Sequence, residues 1–314
     1  MTSRVDEAYA PPPGRGSESS NLAAVNCSQR RRRHERFLCV PAALLGVALL
    51  SGCDRTEVMR FGWPEGITPQ AEQMRQLWTW STVAALVVGV IVWALIFWCV
   101  VRYRKKGDEL PTQTRFNAPI EVLYTVVPIL IVLMLFYYTA VTQTYVEKRS
   151  ENPDVTVNVV ASKWNWEFQY PGQETTGPQS TTVSTVGSVD RIPVLVVPVD
   201  KTIRFTEESA DVIHSFWVPE LLFKRDVIPG RINSFEVTVD TEGAYVGRCA
   251  ELCGTYHSGM NFELRAVSWD SYQRFLTEKK AGSSTPDALR AIGEEPYATT
   301  TRPFDTDRSR SNPV

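Results

Sequence analysis

Apolar and polar positions divide this chain into two long apolar runs and a later part with short alternating runs. Residues 78–101 form about 24 positions without a charge, which is long enough to cross a bilayer as a helix. Tryptophans lie toward the ends of this run, as is typical of membrane interfaces. Residues 120–141 form a second run with one charge, Glu121, at its start. The pattern predicts two transmembrane helices joined by residues 102–119.

From residue 155 onward the pattern changes to short runs rich in β-branched and aromatic residues, separated by turn residues such as Pro229 and Gly230. Eight such runs are predicted to be strands: 155–160, 163–170, 192–197, 202–206, 212–218, 232–239, 244–248 and 262–267. Strands without intervening helices indicate a β-sandwich or a partly closed Greek-key barrel over residues 150–280. Residues 269–280 are predicted to form an amphipathic helix. The polar tail, residues 281–314, is expected to be extended or disordered.

The beginning of the chain has the features of an export signal. A basic run at residues 30–36 precedes an apolar stretch of about 14 residues, 37–50, which is too short for a full span. Residues 50–53 read Leu-Ser-Gly-Cys and resemble a bacterial lipobox. We therefore predict a signal peptide over residues 1–52, a lipid on Cys53 and an external segment over residues 53–77. The alternative is an ordinary signal peptide, or a short helix with an incidental cysteine.

Charge predicts the orientation of the chain. The link between the two spans carries five basic residues against Asp108 and Glu109, which places it in the cytoplasm by the positive-inside rule. We therefore predict a multi-pass protein of the bacterial inner membrane, with its β-rich domain on the outer face. Residues 142–314 carry 18 Lys and Arg against 24 Asp and Glu. This acidic surface either steers a cationic partner or only confers solubility, and no nucleic-acid partner is expected.

Metal-binding residue types are concentrated in residues 247–262. Two thiols, an imidazole, a thioether and a carboxylate lie within about a dozen residues, on Cys249, Glu251, Cys253, His257 and Met260. This set suits copper and does not suit magnesium or calcium. A disulfide is the alternative for the two cysteines, and zinc would leave the thioether unused. A second imidazole, His214, lies on a predicted strand that can reach the loop.

These residues resemble a known motif. The spacing Cys249-x-Glu251-x-Cys253-x-x-x-His257-x-x-Met260, with His214 upstream, resembles the dinuclear copper (CuA) motif of subunit II of aa3-type cytochrome c oxidases. The resemblance covers most of residues 76–276, including 163–166, 211–217 and 229–231, and it implies a cupredoxin domain. It also implies that the two cysteines bridge both coppers. One copper is then completed by His214 and Met260, and the other by His257 and the carbonyl of Glu251.

The resemblance further implies the function and the partners. Such a subunit takes electrons from cytochrome c and passes them to the haem of subunit I, where oxygen is reduced to water and protons are pumped. Contacts with subunit I and other oxidase subunits are expected, as is contact with membrane lipid. A magnesium ion is implied at the contact with subunit I, held by the Glu251 carboxylate.

Two further residues have roles by the same resemblance, and two acids are candidates for docking the electron donor. Trp164 matches the aromatic side chain that receives electrons, although two tryptophans at alternate positions of a strand are more often packing residues. Asn165 stands where an aromatic residue is usual. Glu121 matches a glutamate at the entrance of a proton path into subunit I, or it is an interfacial residue with no functional role. Asp211 and Glu208 are candidate docking acids for a cytochrome c that is either soluble or tethered in a larger respiratory complex.

Three other classes of protein fit less well. Subunit II of a quinol oxidase has this architecture but lacks the copper ligands, all of which are present here. A membrane-anchored protein for copper storage or delivery would not need two spans and a glutamate at the start of one. Nitrous-oxide reductase has a similar copper loop, but this chain has no second large domain for a catalytic cluster.

Overall fold

The computed structural model describes residues 55–176, 180–188 and 191–302. A short helix α1, Arg55–Met59, precedes two long helices, α2, Pro69–Arg102, and α3, Ala118–Val146. Their most apolar windows have mean hydropathies of 2.8 and 2.3, so both helices are long and apolar enough to cross a membrane. The two helices pack against each other as a hairpin.

Both long helices begin before the apolar runs that predicted them. The hydroxyl of Thr68 accepts a hydrogen bond from the backbone N–H of Ala71 at 2.9 Å, and proline occupies the first position of α2. Asn117 caps α3 in the same way, through the N–H of Ile120. Hydrophobicity therefore marks the part of each helix suited to lipid, whereas capping residues fix where the helix starts.

Ten strands follow in the described part of the chain, arranged in two five-stranded sheets. They are β1 Val155–Ser162, β2 Asn165–Glu174, β3 Thr182–Val186, β4 Val194–Pro198, β5 Thr202–Ser209, β6 His214–Val218, β7 Phe223–Val227, β8 Asn233–Thr238, β9 Gly243–Cys249 and β10 Asn261–Val267. One sheet has the order β3-β2-β1-β5-β8 and the other β4-β10-β9-β6-β7. The pairs β1–β5 and β4–β10 are parallel, and the remaining pairs are antiparallel.

An aromatic layer fills the space between the sheets. Phe216 of β6 lies 5.4 Å from Phe205 across the sandwich and 4.7 Å from Phe262 of β10, measured between ring centroids. Trp166 of β2 completes this layer and is fully buried. The expected two-helix hairpin followed by an all-β sandwich is thus confirmed. This packed layer lies directly beneath the loop that joins β9 to β10.

Two strands were not predicted, β3 and β7, and both lie at a sheet edge. β7 reads Phe-Lys-Arg-Asp-Val and alternates half-buried with exposed positions until its last residue. β3, Thr182–Val186, lies in the Thr-rich and Ser-rich stretch 172–188 and pairs antiparallel with β2. Edge strands carry polar and charged residues that discourage further pairing, and this weakens their hydrophobic pattern.

The C-terminal helix α4, Trp269–Lys280, has the predicted bounds. The expectation of an extended or disordered tail is wrong as far as residue 302, because helix α5, Thr285–Ala291, buries Pro286, Ala288 and Leu289. The tail also satisfies a buried ion pair of β10. Arg265 donates to Glu294 at 3.0 Å, and the carboxylate of Glu263 accepts the backbone N–H groups of residues 299 and 300. Buried charges require such partners, which the sequence pattern does not reveal.

Candidate metal centre

Two cysteines face each other at the end of the sandwich. Cys249 is the last residue of β9, and Cys253 lies in the loop that follows it. Their sulfur atoms are 3.8 Å apart and are not joined in a disulfide. Both side chains are buried, with 7% and 3% of their surface exposed. The disulfide alternative is therefore not what the structure shows, because an S–S bond requires about 2.05 Å.

Each thiol has an imidazole nitrogen beside it. The Nδ1 atom of His214 lies 3.8 Å from the sulfur of Cys249, and the Nδ1 atom of His257 lies 3.6 Å from the sulfur of Cys253. The thioether sulfur of Met260 is 3.8 Å from the Cys253 sulfur. Ligand atoms of His214, Cys249 and Cys253 all lie within 4.8 Å of one another. The predicted ligands are thus brought together from β6, from the end of β9 and from the loop that joins β9 to β10.

The carbonyl oxygen of Glu251 also faces this cluster, 3.3 Å from the Cys249 sulfur, while the side chain of Glu251 is exposed. Thiol, imidazole, thioether and carbonyl donors in one buried cluster suit copper. The donor set therefore fits the copper predicted from the sequence.

The two thiols differ in acidity. Burial raises the pKa of the Cys249 thiol, but its contacts with His214 and nearby backbone groups lower that pKa below the usual value overall. Burial and the neighbouring Cys249 raise the pKa of Cys253. Cys249 thus ionises readily, whereas ionisation of Cys253 is opposed by the negative charge on Cys249. A cation between them removes this repulsion, so metal binding and deprotonation are coupled.

The orientation of His214 is set by Asp211. One carboxylate oxygen of Asp211 lies 2.9 Å from the Nε2 atom of His214 and also accepts the backbone N–H of Val212. The other oxygen accepts the N–H of Lys163 at 2.7 Å. A carboxylate on the outer nitrogen of a ligand imidazole fixes the ring and directs its other nitrogen to the metal. Sequence reasoning missed this role, although the i, i+3 spacing of Asp211 and His214 before a strand could have suggested it.

Comparison with known proteins agrees with the motif. A family model described as the periplasmic domain of cytochrome c oxidase subunit II matches residues 155–267, and the model for its transmembrane domain matches residues 56–140. A relative named probable cytochrome c oxidase subunit 2, from Nocardia farcinica, is 46% identical and the match covers 94% of each chain. The chain belongs to the cytochrome c oxidase subunit II family.

Other relatives give the same assignment. The cytochrome c oxidase subunit 2 of Mycobacterium tuberculosis is 40% identical, over 96% of this chain and 98% of that protein. The crystal structure of the periplasmic domain of subunit II from Bradyrhizobium japonicum is 29% identical, covers 43% of this chain and all of that chain, and superposes with a TM-score of 0.37. As a member of the family, this subunit II is an electron-transfer subunit of a haem-copper oxidoreductase, with a membrane part and a periplasmic domain.

Trp164 and Trp166 do not lie on the same face of a strand. β2 begins at Asn165, so the alternation expected along a strand does not include Trp164. Trp166 points into the core and donates its indole N–H to the carbonyl of Met260 at 3.2 Å. Trp164 is half-buried, packs against the edge of the core and donates its indole N–H to the carbonyl of Cys253 at 3.3 Å. Each tryptophan is thus bonded to the backbone of a predicted ligand.

The remaining predicted residues lie outside this cluster. Glu208 is exposed on β5. The carboxylate of Glu121 accepts the backbone N–H of Asn117, the N-cap of α3, at 2.9 Å, which is a helix-capping contact. Cys53 lies outside the described residues.

Proposed function

We propose that this subunit II receives electrons from cytochrome c at a dinuclear copper centre held by His214, Cys249, Cys253, His257 and Met260. One observation carries the proposal: two buried thiols lie 3.8 Å apart without a disulfide, and each has its own imidazole nitrogen. This near-symmetric pairing suits two metal ions that share both sulfurs. By the same proposal, the Glu251 carbonyl is a ligand, because it already faces the Cys249 sulfur.

Copper bound by these residues would supply a one-electron carrier. The chain contributes rigidity. The N–H of Cys249 donates to the carbonyl of Met260 at 3.1 Å, which closes the loop at its base, and Ala250 donates to Ser215 of β6 at 3.0 Å. The buried aromatic layer supports the loop from below. His214 and Cys249 lie on strands, and the loop that carries the other ligands is closed at Met260 and tied to β6 by these bonds, so little rearrangement is expected to accompany electron transfer.

Trp164 is proposed to be the side chain through which electrons reach the centre. Its half-buried position and its hydrogen bond to Cys253 support this role, since the bond links a surface ring to a ligand residue. Glu208 remains a proposed docking acid. Asp211 is less suited to docking, because both of its carboxylate oxygens are engaged within the chain.

The contact with subunit I is proposed to include the exposed tip of the copper loop. Leu252 is 78% exposed and lies next to the exposed carboxylate of Glu251. In this position Glu251 would supply one oxygen ligand to the magnesium ion, with further ligands from subunit I. Other oxidase subunits would complete the assembly.

The membrane arrangement is also part of the proposal. Helices α2 and α3 would both cross the inner membrane, with the basic link in the cytoplasm and the copper domain outside. A lipid on Cys53, after cleavage of a signal peptide, would add a further anchor on the outer face. The proton-path role of Glu121 is proposed on resemblance, while the contact described for its carboxylate is a capping one.

Copper loading of the full chain in detergent tests the proposal. We expect two coppers per chain, with loss of copper in Cys249→Ser and Cys253→Ser. Cys99→Ser is the matched control, because Cys99 is exposed on α2 and lies far from the ligand loop in sequence. A single copper, or preferential zinc, would contradict the proposed centre.

Mild purification from native membranes tests the proposed association with subunit I. Recovery together with a haem-containing subunit is expected. A copper-loaded chain that is always recovered alone would favour storage or delivery of copper.

A further inference from the structure

The ring of Trp164 is held by the copper loop on several sides. Its indole N–H donates to the carbonyl of Cys253. Gly254 follows, with a backbone φ of +120°, and a Cβ atom at this glycine would lie 3.3 Å from the Cζ2 atom of Trp164. The ring therefore rests against backbone that has no side chain at this point. Two consecutive residues of the loop thus fix the position of the indole.

Tyr256 provides a third contact from the same loop. Its ring lies 4.8 Å from the ring of Trp164, between centroids, and the two planes meet at 86°. This edge-to-face arrangement is the favourable geometry for an aromatic pair. Tyr256 is half-buried and directly precedes His257, the proposed ligand. Its carbonyl accepts the N–H of Gly259 at 2.9 Å, so its backbone is fixed as well.

Asn165 does not assist Trp164 in this way. Its side chain donates to the carbonyl of Gly187 at 2.8 Å and accepts the N–H of Trp166 at 2.9 Å. The first bond joins β2 to the residue that follows β3, and the second lies within β2 itself, so this amide stabilises the sheet and does not contact Trp164 through these bonds. The aromatic neighbour of Trp164 is therefore supplied by the ligand loop, about 90 residues further along the chain, and not by the adjacent position.

We propose that Tyr256 is a positioning residue for electron transfer, which holds the Trp164 ring in contact with the copper loop. The proposal rests on the proposed role of Trp164. Electron transfer slows steeply as the gap between donor and acceptor groups widens. A Trp164 ring that is free to swing away from Cys253 would therefore lower the rate of electron arrival, without changing the ligands of the metal.

The test uses the intact oxidase and measures the second-order rate of electron transfer from reduced cytochrome c to the copper centre by stopped flow. Tyr256→Phe keeps the ring and should remain within about twofold of wild type. Tyr256→Leu keeps an apolar side chain but removes the aromatic ring, and should lower the rate about fivefold to tenfold, as the loss of one aromatic pair allows. Tyr297→Leu is the control, because Tyr297 is 52% exposed on the C-terminal segment.

Two readouts separate positioning from a general structural defect. The electron paramagnetic resonance signal of copper and the rate of transfer from copper to haem should be unchanged in Tyr256→Leu. In a Trp164→Ala background, Tyr256→Leu should lower the rate no further, because the tyrosine acts through the tryptophan.

Three results would overturn the inference. The first is a wild-type rate in Tyr256→Leu, and the second is an equal loss in the Phe and Leu variants. The third is a loss that persists in full without the tryptophan. If Trp164→Ala itself keeps the wild-type rate with its copper signal intact, the proposed role of Trp164 fails and the inference with it.

Discussion

Gly247 lies two residues before Cys249 and packs directly on Phe262 of the neighbouring strand. A Cβ atom at Gly247 would lie 2.1, 2.3 and 2.3 Å from three carbons of the Phe262 ring. Non-bonded carbon atoms are ordinarily at least about 3.5 Å apart, so Gly247→Ala requires the Phe262 ring to move by more than about 1 Å. The backbone of Gly247 is not in the left-handed region, and the cost is therefore one of packing.

The ring has little room to move. Phe262 is fully buried, with its ring centroid 4.7 Å from that of Phe216, 5.3 Å from that of Phe168 and 5.4 Å from that of Trp166. Overpacking of such a core costs about 1–3 kcal/mol and occasionally more. We expect the upper end of this range, about 3 kcal/mol. For a domain of this size the loss corresponds to a Tm lower by roughly 6–12 °C.

Thermal unfolding of the copper-loaded full chain, followed by near-ultraviolet circular dichroism, measures this effect. Gly107→Ala is the matched control, because a Cβ atom at Gly107 meets nothing within 4 Å. Adding Phe262→Leu to Gly247→Ala should recover part of the loss, since the smaller side chain makes room for the methyl group. A Tm of Gly247→Ala within about 2 °C of wild type, or strict additivity of the two substitutions, would refute the packing argument.

The remaining predictions concern the ligand loop and the tail. Asp211→Asn leaves the upstream imidazole without its ionised partner and should weaken copper affinity about 10-fold to 100-fold in chelator competition, whereas Glu208→Gln should not. Gly254→Ala forces a non-glycine residue to a φ of +120° beside the Trp164 ring. It should lower the free energy of unfolding by about 1–3 kcal/mol and alter tryptophan fluorescence. An unchanged fluorescence spectrum would argue against the contact between Gly254 and Trp164. Burial raises the pKa of Glu263, but hydrogen bonds from the tail and from an arginine lower it below the usual 4.5 overall. The ionised carboxylate of Glu263 therefore stabilises the folded protein above this pH. In denaturant unfolding, the difference in stability between wild type and Glu263→Gln should shrink as pH falls below about 4.5. A difference that grows toward acid would contradict the lowered pKa of Glu263.

Hydrophobic pattern predicted the parts of this fold that bury apolar surface. The two spans, the central strands and α4 were found because their apolar residues recur with the helix or strand period. Strands β3 and β7 were missed because they are sheet edges with polar or charged side chains. The packed tail was missed because its contacts with Glu263 and Arg265 satisfy buried charge, and charge pairing across about 30 residues leaves no periodic signal.

The candidate site was predictable to the extent that it is local. The spacing from Cys249 to Met260 identifies the ligand loop by itself, and His214 follows from the scarcity of histidines in the chain. The partners of these ligands are contacts between distant segments. The bond from Trp164 to Cys253 and its ring contact with Tyr256 depend on how β2 meets the loop, which only the three-dimensional structure reveals.

Electron paramagnetic resonance of the oxidised, copper-loaded full chain, with the spin count divided by the copper count, tests the central claim most directly. The account predicts one unpaired electron for every two coppers, shared equally between them through the two cysteine sulfurs. One unpaired electron on each copper, or a chain that binds a single copper, would contradict it.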